Sequence, residues 1–123
     1  DDDDDANDVN LPEQPVKSSN DTEVSGADSC PCNNCVKYAE CRANIGPQGW
    51  VTCADKRAGG NSKTAHAGCI IFRTGDPQYC HAMYCTGASS STYSFDQANW
   101  VPDQCNSGTI SKDSPDIIGI WCP

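Results

Sequence analysis

The groups that could do chemistry in this chain are few: two histidines, ten cysteines and a scatter of carboxylates and bases. His66 and His81, with Glu40, could form a ribonuclease-like acid and base pair, and the bases between Lys56 and Arg73 could hold a phosphate. The ordinary fate of a histidine in a strand is structural. Cys30, Cys32, Cys35 and Cys41 lie close together and raise the question of zinc. A zinc site needs repeated C-x2-C pairs or a histidine pair at x3 to x5, and neither is complete here, so no metal and no cofactor is expected. G-x-S-x-G and H-E-x-x-H are both absent, and Ser89, Ser90 and Ser91 sit in a small-residue loop, so no catalytic residue is assigned.

Two binding surfaces are suggested instead. Tyr93, Phe95, Asp96, Gln97, Asn99 and Trp100 set flat aromatic faces among amides and a carboxylate, which suits stacking on a sugar ring with hydrogen bonds to its hydroxyls. The competing expectation is that Phe95 and Trp100 are core. Lys56, Arg57, Lys63 and Arg73 fall in a stretch without an acid, and would form a patch for an anionic partner if the fold keeps them adjacent. Arg73-Thr74 and Lys56-Arg57 also lie between cysteines, as the basic loop of a protease inhibitor would.

Composition sets the frame for these sites. The even number of cysteines in a small acidic chain predicts five disulfides made in an oxidising compartment, from Cys30, Cys32, Cys35, Cys41, Cys53, Cys69, Cys80, Cys85, Cys105 and Cys122. At roughly 2 to 4 kcal/mol each they would exceed the usual net stability of roughly 5 to 15 kcal/mol. The chain begins at Asp1 without a charged-then-apolar leader, so a secretory signal is expected to have been removed. No apolar run reaches a membrane span. The whole net charge of −9 falls in residues 1–29, which hold ten acids and one base, while the remainder is balanced at seven of each. Residues 1–29 are therefore expected to be a disordered acidic tail or propeptide, and 30–123 a disulfide-stabilised domain. Asn20-Asp21-Thr22 fits a glycosylation pattern.

The elements that must position any site read as follows. Gly68 to Cys85 predicts a hairpin around Gly75-Asp76-Pro77. Asn34 to Asn44 predicts one short helix, capped by Asn33 or Asn34 and stopped by Gly46-Pro47. Strands are expected at Gly49–Cys53, Tyr93–Phe95, Asn99–Pro102, Thr109–Ser111 and Ile117–Cys122, with residues 55–67 as loop. Seven isoleucines and no leucine in residues 30–123 favour pleated packing. The fold class expected is a small disulfide-rich, mainly β domain, an antiparallel sheet of four to six strands with one short N-terminal helix.

In its size, its Cys30 to Cys122 framework and its acidic leader, the chain resembles the small secreted cysteine-rich proteins that plant-associated fungi export as effectors. The resemblance implies a secreted, extracellular, non-catalytic interaction protein whose partner is a host protein, a receptor or a cell-wall polysaccharide. No nucleic acid partner is expected, and the chain is expected to be a monomer. A carbohydrate-binding module and a small secreted hydrolase or ribonuclease are the alternatives.

Overall fold

The computed structural model describes residues 30–123; the expected acidic tail and the Asn20 site lie outside the described residues. Helix α1 (Cys35–Ala43) forms where the sequence predicts it. The Asn34 side chain accepts a hydrogen bond from the Lys37 N–H, and Asn44 ends the helix in the left-handed region. Strands β1 (Ile70–Arg73), β2 (His81–Ala88), β3 (Thr92–Ala98), β4 (Cys105–Ser111) and β5 (Ile117–Trp121) make one antiparallel sheet in the order β4-β3-β2-β1-β5. The expected hairpin is the centre of this sheet, with Ile70 opposite Tyr84 and Arg73 opposite His81.

Three expectations about these elements are corrected. Gly49–Cys53 is not a strand, and residues 55–67 are not all loop, because a second helix, α2 (Cys53–Gly59), starts there. Thr52 caps it: its side chain accepts from the Asp55 N–H, while the Asp55 carboxylate accepts from the Thr52 N–H. That reciprocal box satisfies two donors that a strand would have left to a ladder. Asn99–Pro102 is a turn rather than an edge strand: Asn99 and Asp103 both take positive φ, and the Asn99 side chain accepts from the Asp103 N–H.

Strand alternation gives the sheet two buried faces. Ile70, Phe72 and Ala82 pack with Ala39 of α1 and with Trp50, whose ring meets Phe72 edge-on at 5.0 Å. Ile71, Met83, Cys85, Phe95, Ile110 and Ile120 pack on the other side with Ala65. Fully burying one such side chain stabilises by roughly 1.5 to 3 kcal/mol. No helix among the described residues is long and apolar enough to cross a membrane.

Four disulfides join these parts, where five were expected: Cys30–Cys41, Cys32–Cys105, Cys53–Cys80 and Cys69–Cys122. Cys35 and Cys85 are free. They cannot pair, because Cys35 packs on the Trp50 side of the sheet and Cys85 on the Met83 side. The last strand is tethered as expected, by Cys69–Cys122 and by the Asn61 side chain, which bonds the Cys122 backbone in both directions. Without reduction, alkylation should therefore place two labels on the denatured chain and one on the native chain, at half-buried Cys35, with peptide mapping as the readout. Ten labels should appear only after full reduction.

Candidate functional site

The first residue of α1 is the free Cys35. Its N–H and that of Val36 have no backbone or side-chain acceptor among the described residues, because the Asn34 cap engages Lys37 and Tyr38 instead. The helix therefore presents two free donors and its positive dipole end beside the Cys35 thiol.

An open cavity of about 850 Å³ begins at this helix end. Cys35, Val36 and Glu40 line it from α1, Trp50 and Val51 from the following linker, Lys56 from α2, Asp76 and Tyr79 from the β1–β2 turn, then His81 and Trp100. His81 is the first residue of β2 and is buried. Its Nε2 lies 2.9 Å from Gln97 Oε1, and Gln97 in turn donates from Nε2 to Asn106 Oδ1 at 2.8 Å. That second bond fixes the amide of Gln97 with its oxygen toward the histidine, so His81 carries its proton on Nε2 and leaves Nδ1 as an acceptor. Nδ1 has no hydrogen-bond partner among the described residues. Burial holds the pKa of His81 down at about 3, and Arg73 and Lys56 add to the effect, so the ring is neutral at physiological pH. Trp100 lies between the His81 ring, 4.7 Å away, and the Arg73 guanidinium, 4.6 Å away.

Two links hold the turn that carries His81. The buried Lys56 ammonium donates to the carbonyls of Trp50, Val51 and Tyr79. Cys53–Cys80 joins α2 covalently to the residue before His81. Desolvation lowers the Lys56 pKa, and the nearby Cys35, Asp55 and Asp76 oppose that shift.

The site residues expected from the sequence are mostly dispersed. Tyr93 and Phe95 are core, Gln97 is buried against His81, and Asp96 points to the opposite side of β3, where it pairs with Arg42 at 2.7 Å. Only Asn99 and Trp100 of that group reach the cavity. The four bases form no patch: Lys56 is buried, Arg73 is stacked on Trp100 and paired with Asp116 at 3.3 Å, and Arg57 and Lys63 are exposed on separate segments. His66 and His81 are not brought together. His66 bonds Ala67 O beside Cys69, near the Cys85 end of β2, about 13 Å along the strand from His81. His66, Cys69 and Cys122 do lie within 4.8 Å of one another, but the two sulfurs are bonded to each other and are not thiolates. Cys35 was passed over as one of ten framework cysteines. The signal available was its position directly after an Asn cap, at the start of the one predicted helix.

No family model and no curated protein matches the sequence. A solved structure described as "The crystal structure of Ly7917" is similar in fold, with a TM-score of 0.55 and 14% identity, over 77% of this chain and 55% of the other. This chain thus spans about half the length of that neighbour. The likeness bears on the fold alone.

Replacing Lys56 with Met would remove the donor to the carbonyls of Trp50, Val51 and Tyr79, the first of them buried, and should lower stability by about 2 to 4 kcal/mol in urea unfolding. His81 gives a second test. Its folded pKa lies below the ordinary value, so the unfolded chain binds the extra proton and stability falls as pH drops from about 6.5 toward 3. Between pH 6 and 4 the His81→Asn variant should lose about 2 kcal/mol less than the parent protein.

Proposed function

We propose that the protein is an exported cysteine-dependent acyl-transfer enzyme, a hydrolase of amide bonds, with Cys35 as nucleophile, His81 as general base and Gln97 as the group that orients it. The observation that carries this reading is a free thiol at a helix start sharing one cavity with a buried, neutral imidazole. The distal nitrogen of that imidazole is held by a buried amide. A nucleophile, a base and an orienter supplied by different elements is the arrangement that thiol hydrolases reach on unrelated folds.

The chemistry follows from the groups present. Cys35 Sγ attacks the carbonyl carbon of the substrate, and its proton is carried to His81 Nδ1 around the sheet end that the cavity spans, because His81 shares the Met83 face and Cys35 packs on the Trp50 face. The oxyanion that forms meets the free N–H groups of Cys35 and Val36 at the positive end of α1. As the C–N bond breaks, the imidazolium returns the proton to the leaving amine and leaves a thioester on Cys35. Water, deprotonated by His81, then releases the acid. Asn106 acts one step further out, by holding the Gln97 amide in the orientation the tautomer requires. Four disulfides suit an oxidising compartment, which supports export.

A second reading rests on a different observation. The three large apolar residues most exposed among the described residues are Val51, Tyr79 and Val101, at 58%, 47% and 43%. Val51 and Tyr79 line the cavity, and Val101 follows Trp100, which also lines it. An apolar rim of this kind suits an effector-like protein that binds a host protein or a cell-wall polysaccharide without turnover.

Turnover of fluorescent casein and of a peptide-anilide library separates the two. Catalysis by Cys35 requires that Cys35→Ala and His81→Ala each lose about 10³-fold or more in kcat/KM, and that Gln97→Ala lose about 10- to 100-fold. Alkylation of Cys35 by iodoacetamide at neutral pH should also slow in His81→Ala. Turnover that survives Cys35→Ala would sink the proposal. So would an absence of turnover together with an alkylation rate indifferent to His81.

A further inference from the structure

The two edges of the sheet are treated differently. At β5 the neighbouring chain closes the edge: the Asn61 and Ser62 N–H groups donate to Ile120 O, and Ser62 bridges to Ile120. At β4 nothing comparable is present among the described residues. Asn99 N–H donates to Gln104 O and Lys112 N–H to Ser91 O, which sets the alternation along β4. Asn106, Gly108 and Ile110 turn their backbone groups toward β3. Cys105, Ser107, Thr109 and Ser111 turn theirs away from the sheet. The outward N–H and C=O groups of Ser107 and Thr109 meet no backbone partner among the described residues.

The usual protections of an edge are also missing. β4 reads Cys-Asn-Ser-Gly-Thr-Ile-Ser, with no charge and no proline. Its register with β3 runs unbroken over seven pairs, whereas the β1–β5 and β2–β3 ladders each contain an irregularity. Such an edge is a template for strand addition.

We propose that β4 pairs antiparallel with β4 of a second copy of this chain, about a two-fold axis at Gly108. In that register Ser107 meets Thr109 of the second copy and Cys105 meets Ser111, so every outward-facing residue of the strand gains a partner. Gly108 meets Gly108 and Asn106 meets Ile110, with no like charges opposed on the strand. The occupant is a second copy because the edge is complementary to itself in one register and offers no charge or apolar pocket to select a foreign strand.

Sedimentation velocity on the full chain tests this, with Cys35 capped and a non-reducing gel to exclude covalent pairs. A short edge interface is weak, so the weight-average mass should rise from 13.1 kDa toward twice that value between about 10 µM and about 1 mM protein. Thr109→Pro, which removes an outward N–H and leaves the β3 ladder intact, should abolish the rise. Ser107→Lys should do the same by opposing charges across the axis, and circular dichroism would show that each variant keeps the sheet. A chain monomeric at every concentration overturns the proposal, as does a dimer that survives both substitutions.

Discussion

Three carbonyls converge on one ammonium, and the geometry of the cavity depends on it. Lys56 is all but sealed from solvent, and its three protons are divided among Trp50, Val51 and Tyr79. Those carbonyls belong to the linker after α1 and to the turn before β2, which are far apart in sequence and share no ladder. A buried cation is costly unless its donors are met, so the same desolvation that would expel an unpaired lysine locks these segments to α2. Cys53–Cys80 reinforces the lock covalently, one residue before His81. The imidazole thus has its position set from behind by α2 and its tautomer set from the side by Gln97 and Asn106.

Much of the frame was legible because local rules and tertiary packing agree there. The Asn34 cap and Asn44 stop mark α1, and the β-branched run Ile70-Ile71-Phe72 with a Gly-Asp-Pro turn marks the central hairpin. Helix α2 was hidden by its composition. Cys-Ala-Asp-Lys-Arg-Ala-Gly shows no apolar stripe, and its helicity rests on the Thr52–Asp55 box and on a lysine that goes inward. No periodicity signals a buried lysine. The length of β4 was equally obscure, since Asn-Ser-Gly-Thr carries turn residues that are tolerated here on an edge, where Gly108 is needed to clear the Phe95 ring.

The site was illegible for a different reason: counting cysteines treats them as interchangeable. An even total implies complete pairing, and it gives no hint that Cys35 and Cys85 lie on opposite faces of a sheet. The expected glycan surface failed on a related point. Tyr93, Asp96 and Gln97 are close in sequence, but a strand sends neighbours to opposite sides. That alternation takes Asp96 to Arg42 and leaves Gln97 beside His81.

The environment that orients His81 also constrains how it can work. Burial, Arg73 and Lys56 all disfavour the imidazolium, so the resting His81 ring is neutral. Under the proposed function its protonation must therefore accompany attack on the carbonyl. The charge that His81 acquires at that moment is opposed by two fixed cations and matched by the negative charge developing on the substrate oxygen. With that oxygen held at the end of α1, as the proposed function requires, the cost of protonating a buried base would be offset only while a substrate is reacting.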